Sequence, residues 1–121
     1  MIREAAARKR AEVVGRRAEH LAAWFLRLKG FSIMAQRYKA PVGEIDLVAK
    51  RRHLLIFVEV KARKTIDAAL FAVSTHNSRR ISAAAAAYLA RHPHLAQCDM
   101  RYDIIAVAGW RLRHVTDAWR D

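Results

Sequence analysis

The chain has 121 residues, with 23 Lys and Arg against 11 Asp and Glu, a formal charge of +12 and a pI of about 11.1. That length suits one domain, and no apolar run reaches the roughly 18 residues of a membrane-spanning helix. Hydrophobic residues make up 54% of the chain, enough for one core. The basic excess favours a polyanionic partner, nucleic acid ahead of an acidic membrane surface, because the cations are scattered rather than gathered in one amphipathic tail.

In chain order, residues 1–12 are rich in Ala, Arg and Glu and read as a basic N-terminal extension, either a frayed helix or a mobile arm. Residues 13–121 read as a single domain. Met1–Arg8 holds no apolar run of signal-peptide length, so a cytoplasmic location is the expectation. From Val14 a stripe of Ala18, Leu21, Phe25 and Leu28 recurs at helical spacing, and Gly30 stops it. Residues 31–37 form a first strand. Pro41 and Gly43 turn the chain into a second strand over 43–49, and residues 50–53 make a charged hairpin loop. Leu54 to Lys61 is a third strand, the most apolar stretch of the chain. Residues 62–73 fit no single pattern. Ser74 or Thr75 caps a helix running to about Arg91 with the stripe Ile81, Ala84, Ala85, Tyr88 and Leu89, and Pro93 ends it. Two strands follow, over 100–108 and 111–116, joined by Gly109 and Trp110. The order is α-β-β-β-α-β-β, an α/β fold.

The second and third strands carry acids where a core strand should not. Alternate residues share a face. Glu44, Asp46 and Val48 therefore lie on one side of the second strand, and Leu55, Phe57, Glu59 and Lys61 on one side of the third. The other faces, Ile45, Leu47, Ala49 and Ile56, Val58, Val60, are wholly apolar. Any even loop keeps both acids on one face, and if residues 51–54 form the loop, Lys50 pairs with Leu55 and Asp46 lies opposite Glu59, with Cβ atoms about 5 Å apart, where like charges destabilise a sheet. A hard divalent cation such as Mg²⁺ or Mn²⁺ would relieve that repulsion. Lys61, about 7 Å further along the same face, can border a metal-bound water or a phosphate. The competing reading is an ion pair between Glu59 and Lys61 on a solvated edge strand. On the residues alone the two stand level.

Other candidates carry less. Glu44 is expected to pair with a nearby arginine, and Asp103, in an apolar strand, to hold a backbone group or an arginine as a structural residue. Cys98 is alone, so it forms no internal disulfide. The histidines show no metal-ligand spacing beyond His92-Pro93-His94, and Trp24, Trp110 and Trp119 are expected in the core or an interface.

Gly43-Glu44-Ile45-Asp46-Leu47-Val48-Ala49 followed by Phe57-Val58-Glu59-Val60-Lys61-Ala62-Arg63 closely resembles the YraN family of uncharacterised bacterial proteins. Gly15-Arg16-Arg17-Ala18-Glu19, Gly30-Phe31, residues 101–107 and residues 114–119 extend the likeness over most of the chain. Those proteins are similar to Holliday-junction resolvases of the restriction-endonuclease-like PD-(D/E)xK superfamily. The resemblance implies a mixed central sheet flanked by helices and a metal-dependent endodeoxyribonuclease acting on DNA, including branched DNA, as a homodimer. It implies Asp46, Glu59 and the Val60 carbonyl as ligands of Mg²⁺ or Mn²⁺, Lys61 as the residue that orients or activates water, and Glu19 as a helix carboxylate completing the site. Gly15 would let the helix approach the sheet closely. Phosphate contacts fall to Arg63, Lys64, Arg79, Arg80 and the basic arm. Asn77 departs from the pattern, since many relatives place a lysine near the start of that helix. The alternative is a nucleic-acid-binding module that keeps the fold without catalysis.

Overall fold

The computed structural model describes the backbone of residues 1–121 and every side chain except those of residues 75 and 76. The elements are α1 (Ile2–Leu28), β1 (Ser32–Ala40), β2 (Gly43–Arg51), β3 (Leu54–Ala62), α2 (Ile66–Phe71), α3 (Thr75–Arg91), a 3-10 turn (Pro93–Leu95), β4 (Asp99–Ala108) and β5 (Arg111–Trp119). The five strands form one mixed sheet in sequence order. β1, β2 and β3 run antiparallel, β3 and β4 are parallel across the α2–α3 crossover, and β4 and β5 close as a hairpin. β3 is therefore the central strand. No described helix is long and apolar enough to cross a membrane.

Helices cover both faces of the sheet. Ala18, Ala22, Ala23 and Leu26 of α1 pack on Leu47, Ala49, Ile56, Val58 and Ile105. Ile81, Ala84, Ala85 and Tyr88 of α3 pack on Val48, Leu55 and Phe57 on the other side. The small α1 residues let that helix sit low on β3, and the alanine run of α3 does the same opposite. Both faces of β3 are thus core along most of its length, so the expected face carrying charge exists only at its Glu59–Lys61 end.

Several elements differ from the sequence reading. α1 runs unbroken from Ile2, so of the two readings of residues 1–12 the helical one holds and the mobile arm does not. The unassigned stretch contains α2, capped by Thr65 Oγ1, which accepts from the Ala68 N–H at 3.1 Å. Ser74 caps α3, its Oγ accepting from the Asn77 N–H at 3.2 Å, while the Thr75 side chain lies outside the described residues. The β2–β3 loop is shorter than expected: Arg51 pairs with Leu54, and Arg52, at φ 55, turns the chain with His53. β5 runs on to Trp119 through an irregularity at Asp117.

Gly43 fixes where α3 begins over the sheet. A Cβ there would stand 2.3 Å from the Arg80 carbonyl oxygen, a backbone atom that cannot swing aside. Gly43→Ala is therefore expected to lower stability by about 1–3 kcal/mol in urea denaturation. A melting curve unchanged from wild type would show that α3 shifts freely.

Candidate active site

β2 and β3 part company at the acids. Their pairing runs from Arg51↔Leu54 to Leu47↔Val58 and stops, although β2 stays paired with β1 as far as Gly43. Across from Asp46 on the β1 side, Arg37 adopts φ 52, and the ladder passes over both residues between Gln36↔Leu47 and Tyr38↔Ile45. The strand twists there. Ile45 packs with α3, whereas Leu47 and Ala49 pack under α1. This corrects the expectation that all three share one core face.

The split leaves the Val60 N–H without a ladder partner from β2, and the Asp46 side chain takes that place. Its Oδ2 accepts from the Val60 N–H at 2.8 Å. The carboxylate is therefore held in one orientation by the backbone of the neighbouring strand. In the register of the ladder, Asp46 and Glu59 are the next opposed pair, and the two carboxyls lie within hydrogen-bonding reach. Burial, the contact with Asp46 and the charge on Asp46 push the Glu59 carboxyl up to about 9, against a smaller opposing pull from Lys61. At neutral pH Glu59 therefore keeps its proton, held there by burial and by the acid it faces.

Among the described residues no ion pair joins Glu59 to Lys61, and β3 is central rather than an edge. The competing reading from sequence therefore finds no support. Glu44 is exposed and also makes no ion pair among the described residues, contrary to expectation.

A cleft of about 890 Å³ opens over the carboxyl pair. Its floor is Asp46, Glu59, Val60 and Lys61. α1 supplies Arg10, Gly15 and Glu19, and α3 supplies Asn77 and Arg80. Arg63 lines the exit of β3, its guanidinium donating to the Ala62 carbonyl at 2.7 Å. Lys64 borders a separate hollow with Asp67 and Arg111, and Arg79 is exposed outside the cleft. Glu19 faces the cleft but is engaged, its Oε1 accepting from Arg37 Nε at 2.7 Å. Gly15 does not bring α1 close to the sheet, because a Cβ there would meet nothing within 4 Å.

Arg37 is the site residue the sequence did not reveal. Its hydrogen bond with Glu19 holds it in the charged form, with weaker help from Asp46 and Glu44, so it neutralises part of the acid cluster from β1. A left-handed arginine inside a strand leaves no signal in the sequence. Arg10 was concealed in the N-terminal segment. Trp24 and Trp110 are exposed rather than buried, with Arg27 and Arg17 over their rings, while Trp119 stacks on Tyr102.

The donor set suits a hard divalent cation. Two opposed carboxyls offer hard oxygen atoms, and a cation that displaced the Glu59 proton would neutralise the charge that its loss exposes. Among the described residues no three His, Cys, Asp or Glu side chains converge, so protein ligands alone do not complete a coordination sphere.

The family model described as uncharacterised protein family UPF0102 matches residues 18–107, which contain Glu19, Asp46, Glu59 and Lys61. A UPF0102 protein of Paramagnetospirillum magneticum is 50% identical over 119 residues, covering 94% of this chain and 92% of the relative. One from Bartonella bacilliformis is 49% identical over 107 residues, covering 88% of each. One from a Chelativorans species is 53% identical over 100 residues, covering 83% of this chain and 81% of the relative. With three quarters of its length inside the family model and half its residues shared with full-length relatives, the chain belongs to the uncharacterised family UPF0102, the YraN proteins.

Proposed function

We propose that this protein is a metal-dependent endonuclease that hydrolyses phosphodiester bonds of DNA in the cleft between α1 and α3. The observation that carries the reading is the Asp46–Glu59 pair, two opposed carboxyls beside a lysine that makes no ion pair among the described residues, in a cleft rimmed by arginines. Structural acids in a basic protein are normally paired with its cations. Here the fold sets two acids against each other, as functional sites often do.

Asp46, Glu59 and the Val60 carbonyl would hold Mg²⁺ or Mn²⁺. Such an ion supplies charge neutralisation at phosphorus and a water of lowered pKa. Lys61 then stands where an ammonium orients the attacking water and stabilises charge gathering on the phosphoryl oxygens. Arg80 and Arg63 bind the flanking phosphates, and Glu19 with Arg37 braces the α1 side of the site. As in the resolvase-like nucleases that the motifs resemble, two chains would pair so that two clefts act on one branched substrate.

A cleavage panel of linear, flapped and four-way DNA with Mg²⁺ and Mn²⁺ tests the reading, run beside Lys61→Ala. Nicking by wild type and its loss in the variant is the expected result. Equal nicking by both would assign the activity to a contaminant. Binding without cleavage in either metal would favour the inactive binding module.

Binding should also depend on salt. With several arginines neutralising phosphates, affinity is expected to fall by about 10-fold or more between 50 and 200 mM salt, and Arg80→Ala should reduce the slope of log K against log salt by about 1. Salt-independent binding would contradict phosphate contact as its basis.

A further inference from the structure

Gly15 has no explanation within the protein. It lies inside α1, thirteen residues from either end of that 27-residue helix, where glycine is less favourable than alanine or leucine. Its φ is not in the left-handed region, so the backbone needs no glycine there. The helix does not press against anything at that point either: an added Cβ would meet no heavy atom within 4 Å. Two and three turns on, the same helix does pack tightly, with Ala22 and Leu26 fully buried on the sheet.

What Gly15 faces is the candidate cleft. It lines the wall above Asp46 and Glu59, with Arg80 and Asn77 of α3 across the opening and Arg10 on its own helix.

We infer that Gly15 is a notch through which one phosphodiester strand passes between α1 and the Asp46–Glu59 floor. The strand's backbone lies against the bare helix surface while Arg10 and Arg80 take phosphates on either side of the passage. A side chain at position 15 would fill the gap that the strand occupies, and so Gly15 sets which nucleic acids can enter. This rests on the nuclease reading for the identity of the ligand, but the steric argument stands on the helix alone.

The test uses the full chain with Gly15→Ala, Gly15→Leu and, on the same helix outside the cleft, Ala6→Leu. Melting curves are read beside fluorescence anisotropy with labelled single-stranded and duplex oligonucleotides at low salt. Both Gly15 variants are expected to melt at or a few degrees above wild type, since each has the better helix propensity. Gly15→Leu should bind DNA about 10-fold or more weakly, Gly15→Ala a few-fold more weakly, and Ala6→Leu as wild type does. Wild-type affinity in Gly15→Leu, an equal loss in Ala6→Leu, or a lower melting temperature in Gly15→Ala would each overturn the notch and leave the nuclease reading standing. Absence of DNA binding by wild type itself would overturn both.

Discussion

Glu59→Gln is expected to abolish metal-dependent cleavage, by on the order of 100-fold or more, and at the same time to make the metal-free protein more stable. The two effects have one cause. Glu59 faces Asp46 in a largely buried setting, and its carboxyl is raised to about 9 from an ordinary value of 4.5. An acid whose folded pKa is raised contributes stability that is complete below about pH 4.5 and is lost as pH climbs through about 9. The metal-free wild type should therefore be less stable at pH 8 than at pH 5 on account of this pair. A glutamine can donate to Asp46 without ionising, which removes the titration. The variant should gain about 1–3 kcal/mol at pH 8, less than the raised pKa alone implies because the site is open to water on the cleft side, and the gain should shrink toward pH 5. Thermal melts in EDTA at both pH values, beside cleavage assays, measure this. A variant that loses activity and stability together would mean that Glu59 is a structural residue.

Asp103→Ala should bring the largest loss of stability away from the cleft, about 3–5 kcal/mol. Asp103 is fully buried in β4. Its Oδ1 and Oδ2 accept from Arg101 Nε and Nη2, both at 2.8 Å, its Oδ2 also accepts from His114 Nε2 at 2.7 Å, and its Oδ1 from the Asp117 N–H at 3.0 Å. His114 in turn meets Lys29 at its other nitrogen, 3.0 Å away, so the cluster ties β4 to β5 and to the end of α1. The register jumps here, from Ile104↔Val115 to Tyr102↔Trp119, and Asp103 supplies the acceptor for the left-handed Asp117 inside that bulge. Alanine would leave a guanidinium, an imidazole and a backbone N–H facing an empty site. A loss of that size is a large fraction of the roughly 5–15 kcal/mol that a domain usually has. Burial acting alone would raise the Asp103 carboxyl, but the bonds from His114, Arg101 and Asp117 outweigh it and lower it. Its contribution is therefore present above the ordinary carboxylate range and is lost as pH falls through the depressed value. Urea denaturation at pH 7 is the measurement, and a loss under about 1 kcal/mol would show that the network is dispensable.

Much of the candidate site was legible because hairpin parity is rigid. An even loop between β2 and β3 sets Asp46 against Glu59 whether the loop has two residues or four, so the wrong loop length did no harm. The helical stripes of α1 and α3 were equally plain, since their apolar positions match the helical period. The twist at Asp46 was not legible. It coincides with a left-handed backbone at Arg37 on the neighbouring strand, which nothing in that side chain requires, and Ile45 packs on the opposite face from Leu47. α2 escaped notice because six residues with one buried alanine show no period. Residues 2–12 of α1 looked like an extension because they bury no apolar side chain. Alternation read across β3 promised a polar face, but Leu55 and Phe57 on that face belong to the core beneath α3, and only the strand's last turn of sequence reaches the cleft.

Calorimetric titration of Mn²⁺ into the metal-free protein at pH 7.5, repeated in buffers of different ionisation enthalpy, reaches the central claim most directly. Saturable binding that releases about one proton in wild type, and that is lost in Asp46→Asn and Glu59→Gln, is the predicted result. Binding of the same strength and stoichiometry in all three proteins, or none in wild type, would contradict it.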